Sequence, residues 1–289
     1  MRLAASYLGF LSFLCFACGS RAAIFDADDR QYVSTAPGSV YSPIGMVSGS
    51  ELWRARRGTG FLVDECDVLT AQHIVYDDDH PLGKRLKFVG APGTPEQMAS
   101  FGTVVAAGGL PADTAEQQSG QRDRDWMLLR LDRCLGASLG YVKLNDQEPG
   151  AADGVQNAGY PDDRNWRKGL TIDPSCEITD TFSRSVRGTS CAALPGNSGG
   201  PVFRIVRADG RPRLEVMAIV VAGYNWRRPV AYRADLSNWT VPVEAILPRI
   251  RPFIASSAFV FEAAKSAAPA PWFRAGTESS GSIAKASVP

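Results

Sequence analysis

From Ala23 to about Val260 the chain alternates short apolar runs with clusters of Gly, Pro, Asp and Asn. Eight runs carry the pattern: Gly60–Val63, Val68–Ala71, Leu86–Val89, Gly102–Ala107, Trp126–Leu131, Gly154–Tyr160, Gly200–Val206 and Leu214–Val221. Segments of this length bounded by turn residues, with no sustained 3.6-residue period, predict an all-β sandwich or barrel architecture. Roughly 240 residues of such structure exceed one small barrel and suit two packed together. Thr240-Val241-Pro242 is expected to cap one short helix, which Pro248 should stop at Leu247. From Ala263 the composition shifts to Ala, Ser, Pro and Gly, which predicts a disordered tail over residues 263–289.

The first residues read differently. Met1-Arg2 gives a short basic start, Leu8 to Ala17 is apolar or small, and Ser20-Arg21-Ala22 places small residues for cleavage before Ala23. The apolar run is shorter than the ~20 residues a membrane-spanning helix needs. Residues 1–22 are therefore expected to be an export signal, with the mature chain secreted or periplasmic and not stably inserted in a membrane. Lipid attachment at Cys18 is the weaker alternative, because Cys15-Phe16-Ala17 lacks the aliphatic residue expected before it.

Export changes the meaning of the cysteines. Of six, Cys15 and Cys18 leave with the signal, so Cys66, Cys134, Cys176 and Cys191 remain. Four cysteines in an oxidising compartment read as two disulfides, with three connectivities open. A zinc site finds little support, since no CxxC pair occurs and the chain has 2 His.

Bulk composition excludes more than it identifies. With 45% apolar and 21% charged residues the chain has material for a core. Lys+Arg number 31 and Asp+Glu 30, a balance that points to neither a nucleic-acid nor an anionic-membrane partner. The scarcity of histidine is more informative: any mechanism needing an imidazole must use His73 or His80.

Three segments hold candidate chemistry. Gly58-Thr59-Gly60-Phe61-Leu62-Val63 and Val68-Leu69-Thr70-Ala71-Gln72-His73 read as two strands joined by a turn at Asp64–Asp67 and ending in His73. Asp125-Trp126-Met127-Leu128-Leu129-Arg130-Leu131 sets a carboxylate at the mouth of an apolar strand, and Pro195-Gly196-Asn197-Ser198-Gly199-Gly200-Pro201-Val202 sets a serine in a glycine-rich turn. A serine hydroxyl needs an imidazole to take its proton, and the imidazole needs a carboxylate to fix its tautomer. Backbone N–H groups, here those of Gly196 and Ser198, would meet the developing oxyanion. Chain order separates the rival hydrolases. An α/β-hydrolase needs its histidine after the serine, and none follows Ser198. A subtilisin order would require an α/β pattern that is absent. His73, Asp125, Ser198 is the order of trypsin-like peptidases.

Thr70-Ala71-Gln72-His73, Asp125-Trp126-Met127-Leu128-Leu129 and Gly196-Asn197-Ser198-Gly199-Gly200-Pro201 together resemble the active-site blocks of the trypsin/chymotrypsin-like serine peptidases. The resemblance is closer to secreted microbial members of the glutamyl-endopeptidase type, where Asn commonly precedes the serine and a segment like Asp28-Asp29-Arg30 recurs. It implies two packed six-stranded antiparallel Greek-key barrels with the active site in the cleft between them. The first barrel would take residues 23–150 with His73 and Asp125, and the second residues 151–262 with Ser198. The resemblance further implies that Val68–Ala71 pairs with Met127–Leu131 at partner indices summing to about 200. Cys66 would then face Cys134, and Cys176–Cys191 would brace the loop ahead of Ser198. It also implies that Val221, Ala222 and Gly223 pair with substrate backbone, and that Ala192 and Ala193 line the specificity pocket.

Departures from that pattern matter as much. Ala192 stands where a trypsin-like preference for Arg or Lys would need Asp, and Val220 where glutamyl endopeptidases resemble one another in carrying His. A small or apolar side chain before the scissile bond is expected. Asn197 replaces the Asp that pairs with a freed N-terminus in trypsin-like zymogens, so no such switch is expected. The function read from these residues is a serine endopeptidase, acting as a monomer on peptide or protein substrates, with no metal and no cofactor. The alternative is a non-catalytic peptide-binding protein on the same fold. Three smaller alternatives stand beside this reading: Asp123 in place of Asp125, a metal at Asp77-Asp78-Asp79-His80, and glycosylation at Asn238-Trp239-Thr240.

Overall fold

A computed structural model describes residues 23–49, 57–75, 81–109, 121–148, 150, 154–183, 185–208, 210–223 and 226–266. The expected export signal over residues 1–22, Asp77–His80 and residues 267–289 lie outside them.

Two short strands come first, β1 (Ala23–Phe25) and β2 (Gln31–Val33). Then follow β3 (Ile44–Gly49), β4 (Arg57–Leu62), β5 (Asp67–Thr70), β6 (Arg85–Gly90), β7 (Met98–Ala107) and β8 (Met127–Leu131). These six close into an antiparallel barrel in the order β3-β4-β5-β8-β7-β6. After a single helical turn, α1 (Gly136–Leu139), and β9 (Lys143–Leu144), the chain lays down a second set. It comprises β10 (Gly154–Gly159), β11 (Leu170–Ser183), β12 (Val186–Thr189), β13 (Pro201–Ala208), β14 (Arg211–Ala222), β15 (Trp226–Val230) and β16 (Asn238–Pro242). The ring β10-β11-β12-β16-β14-β13 closes because β10 pairs with both β11 and β13. Both rings place three consecutive strands first and the last three in reverse order, so the two six-stranded antiparallel barrels share one topology.

All eight expected strands are present, some longer than their apolar runs. β5 pairs with β8 as expected, with Val68 opposite Leu129, so the partner indices sum to 197. Side-chain alternation explains why β8 is apolar from Met127 to Leu129, before Arg130. Met127 and Leu129 face the first barrel's interior with Leu62 and Val68. Leu128, on the opposite face with Phe61, Leu69 and Trp126, belongs to a larger core shared with Phe203, Ile219, Val241 and Ile246 of the second half. A strand buried on both faces has no polar side to display.

Three expectations are corrected. Ala23–Val33, counted with the first barrel, pairs with the second instead: β1 with β15 and β2 with β11. Strand partners several turns away along the chain cannot be read from local pattern. Thr240–Pro242 ends β16 rather than capping a short helix, and α2 runs Val243–Ser266 through Pro248 and Pro252. Each internal proline costs about 3 kcal/mol of helix stability. Burial of Val243, Ile246, Leu247 and Ile250 and the bond from Arg130 Nη2 to the Phe253 carbonyl at 2.7 Å outweigh that local cost. The helix thus enters the Ala-rich stretch, and the expected tail beginning at residue 263 starts no earlier than 267.

Cys66–Cys134 and Cys176–Cys191 are both disulfides. Asp64 shapes the turn beside the first, accepting the N–H groups of Cys66 and Asp67 at 2.8 and 2.7 Å. Cys66–Cys134 spans 68 residues and staples the ends of β5 and β8. Replacing both cysteines by alanine is expected to lower unfolding free energy by about 4 kcal/mol. Urea titration of the double variant measures this, and a loss below about 1 kcal/mol would mean the barrel does not depend on the staple.

Candidate active site

His73 enters where β5 ends. Ala71 is extended, and a single 3₁₀ turn over Gln72–Ile74 buries Gln72 and Ile74 while leaving the imidazole between them partly open. Asp125 closes another 3₁₀ turn, Arg122–Arg124, directly before Trp126 and β8. Pairing of β5 with β8 brings the two together. Asp125 Oδ2 lies 2.6 Å from His73 Nδ1, and Oδ1 accepts the His73 backbone N–H at 2.9 Å. Both carboxylate oxygens are thus engaged by one residue, which fixes the ring's position as well as its tautomer. With the proton on Nδ1, Nε2 is the lone-pair nitrogen, and it lies 2.7 Å from Ser198 Oγ. Asp123 sits within the preceding turn and makes no contact with His73 among the described residues.

Ser198 belongs to the other barrel, on a turn held at almost every residue. Cys191 is fixed by its disulfide and by Asn238 Nδ2, which donates to its carbonyl at 2.8 Å. The Ala192 N–H donates to Asp173 Oδ2 at 2.6 Å, and the Ala192 carbonyl accepts from Asn157 Nδ2 at 2.8 Å. The Ala193 N–H reaches the carbonyl of Ala23 at 2.9 Å, and Leu194 N–H reaches Asn197 Oδ1 at 3.2 Å. Asn197 therefore braces the turn from within as a neutral side chain. Gly196 has φ +100°, and a Cβ there would come 2.3 Å from the Tyr160 carbonyl oxygen, so no other residue fits. Among the described residues the N–H groups of Gly196 and Ser198 donate to no protein acceptor. That leaves two backbone donors without a protein acceptor on the turn that carries Oγ.

The turn docks on β4 of the first barrel. Thr59 N–H donates to the Ser198 carbonyl at 2.8 Å, and Thr59 Oγ1 donates to the Gly196 carbonyl at 2.7 Å. The same hydroxyl accepts the Tyr160 N–H at 3.0 Å, while the Thr59 carbonyl accepts Thr70 Oγ1 at 2.6 Å. Thr59 is fully buried. It stood in the sequence only as a strand residue beside Gly58 and Gly60.

Beside the serine, β14 runs antiparallel to the turn, with Gly199 N–H on the Val220 carbonyl and Val220 N–H on the Gly200 carbonyl. Ala192, Ala193, Val220 and Val221 are buried and bring no charge, and Gly223 is partly exposed. Ala222 lies opposite Trp239 in β16, over whose ring the Arg122 guanidinium stacks at 3.3 Å. Asn238 is wholly buried, its amide bonded to the N–H and carbonyl of Ala23 and to Cys191. It is therefore unavailable for the glycosylation its local motif suggested. Asp173 is the ionisable group bonded to the Ala192 segment. Burial pushes its carboxyl up to about 6; the N–H bonds from Ala192 and Ser175 and the charge of Arg30 pull the other way, and Asp29 adds to the rise.

The trypsin-like peptidase domain matches residues 58–211, more than half of the chain. The chain belongs to that family. By family this is a serine endopeptidase. Solved structures similar to the peptidase include a Glu endopeptidase, at 17% identity and TM-score 0.57, covering 81% of this chain and 100% of that one. The protease Anisep from Arthrobacter nicotinovorans follows at 16% identity and TM-score 0.52, covering 74% and 92%. The thermostable serine protease AL20 from an extremophilic microorganism has 19% identity and TM-score 0.51, covering 71% and 92%. At these identities the likeness is one of fold. No curated protein matches the sequence at a significant level.

In this peptidase Thr59→Val keeps the shape but strands the Gly196 carbonyl and the Tyr160 N–H. Stability is expected to fall by about 1–3 kcal/mol, the cost of buried groups left unpaired. Turnover should fall at least about tenfold, with Thr59→Ser close to wild type in both respects. Urea unfolding beside peptide hydrolysis checks this, and full activity in Thr59→Val would show that the turn holds without the contact.

Proposed function

We propose that the chain is an exported endopeptidase that cleaves peptide bonds after small or apolar residues through an acyl-enzyme. The observation that carries the reading is the unbroken line Asp125 Oδ2, His73 Nδ1, His73 Nε2, Ser198 Oγ, with gaps of 2.6 and 2.7 Å. Ser198 Oγ attacks the scissile carbonyl carbon as its proton passes to His73 Nε2. Asp125 stabilises the imidazolium so formed and does not itself take the proton. The carbonyl oxygen becomes an oxyanion and is met by the N–H groups of Gly196 and Ser198. Collapse breaks the C–N bond, and the departing amine takes the proton from Nε2. Water then repeats the sequence on the ester, His73 acting again as base, and releases the acid.

Specificity follows from what the pocket lacks. Ala192, Ala193 and Val220 offer neither a carboxylate for Arg or Lys nor an imidazole for Glu. Burying either charged side chain unpaired would be strongly unfavourable. Val221–Gly223 would lie beside the substrate backbone as an added strand. Two disulfides support passage to an oxidising compartment. No helix among the described residues is long and apolar enough to cross a membrane. The reading has the chain act as a monomer, since nucleophile, base and orienter all come from one copy.

Intact-mass analysis of the exported protein after a fluorophosphonate probe tests the reading. One probe per chain is expected, none on Ser198→Ala, and the unreacted mass should correspond to a chain beginning at Ala23. Ser198→Ala should lower peptide turnover by about a millionfold. A folded, processed protein that takes up no probe would sink the enzyme and leave a peptide-binding cleft.

A further inference from the structure

Resting on the serine-peptidase reading, we infer that Asp173 and Asn157 are positioning residues that set the floor of the specificity pocket by gripping both backbone polar groups of Ala192. They are Cα partners on neighbouring strands, Asn157 on β10 and Asp173 on β11, and both are buried. From there Asp173 Oδ2 accepts the Ala192 N–H at 2.6 Å and Asn157 Nδ2 donates to the Ala192 carbonyl at 2.8 Å. The two contacts hold the peptide planes on either side of Ala192, and these fix where the chain runs from Cys191 to the serine turn. Neither side chain touches His73 or Ser198 in any described hydrogen bond, so their influence passes through Ala192.

The other fastenings of this segment are a disulfide, backbone groups and the neutral side chains of Asn238, Asn197 and Thr59. Asp173 is the one member of the set that titrates. Ionised, it satisfies two N–H groups, Ala192 on Oδ2 and Ser175 on Oδ1 at 3.3 Å. Protonated, one oxygen becomes a hydroxyl and accepts poorly, so one of the two donors is weakened. Asn157 Oδ1 is buried without a partner and is an acceptor for the new proton once the carboxyl turns toward it. The charged groups facing Asp173 are Asp29 and Arg30, ahead of β2. Arg30 is itself shared between Asp28 and Asp163. β10 and the Ala192 segment present only neutral groups.

The sign follows from the raised carboxyl near 6. A native carboxyl that binds protons more readily than the unfolded one makes the protein more stable as pH falls from above 6 toward 4. The pocket behaves oppositely, since its clamp needs the charge. Below about pH 6 a more stable protein should therefore bind substrate less well.

The experiment uses the mature chain, wild type and Asp173→Asn, with ¹⁵N amide spectra from pH 4.5 to 8. A peptide amide with alanine before the scissile bond serves as substrate, and an alkyl fluorophosphonate as a probe without a pocket side chain. The Ala192 and Ser175 amides should titrate together near pH 6 in wild type and stay flat in Asp173→Asn. KM for the alanine peptide should rise at least about fivefold in the variant at pH 8, and in wild type as pH falls through 6. Amides that stay flat in wild type would overturn the inference, as would a folded, probe-labelled variant with wild-type KM. If the variant does not fold, wild type decides: KM rising in step with the amides supports the clamp, and a level KM while they titrate overturns it. Wild type that takes no probe would bring down the enzyme reading, and the amide titration would still decide the clamp.

Discussion

Ser198 and His73 stand on different barrels, so everything the site can do depends on one docking contact being held to within fractions of an ångström. That contact is the insertion of the serine turn against β4, where Thr59 gives its N–H to Ser198 and its hydroxyl to Gly196. Gly199 completes the fit, since a Cβ there would lie 2.2 Å from Thr70 Oγ1. The apolar interface supplies attraction between the barrels but little direction, because dispersion and hydrophobic burial tolerate sliding. Directional hydrogen bonds at the turn convert two packed barrels into one aligned site.

The turn itself illustrates how stability and function part company. From Cys191 to Ser198 the backbone is held from other elements by Asp173, Asn157, Asn238, Ala23 and Thr59, and from within the turn by Asn197, which leaves little freedom to relax. Most of the partners are neutral and cost little at any pH. Asp173 is different: a carboxylate buried to that depth is held ionised at neutral pH against its own desolvation. Asn197 shows the contrasting choice, an uncharged amide in a place where a carboxylate would need a cation brought to it.

The meeting of His73, Asp125 and Ser198, both disulfides and the all-β architecture were legible in the sequence because each leaves a local mark. Glycines flank Ser198, an apolar run follows Asp125, and the expectation of export makes four cysteines meaningful. Thr59, Asn157, Asp173 and Asn238 left no such mark. Their partners lie 137, 35, 19 and 215 residues away, and a polar residue bound for the interior looks locally like any solvated one. β11 was missed for a related reason, since Asp173, Glu177 and Asp180 interrupt its apolar pattern. The helix was cut short at Pro248 because propensity is a local rule and the buried face that overrides it is not.

The last described helix starts at the second barrel and reaches back to the first. Its Arg249 lies over Trp126, the neighbour of Asp125, and its Phe253 carbonyl holds Arg130, which in turn grips the buried Asp67. The earliest described residues behave in mirror fashion, Ala23 closing onto Asn238 across 215 positions. Order of synthesis then matters. A ribosome delivers the first barrel complete, yet the strands that receive Ala23 and the helix that clasps Arg130 arrive only from residue 226 onward. A chain made only as far as the first barrel has no finished cleft, so cutting power is withheld until the segments that close around both barrels have been delivered.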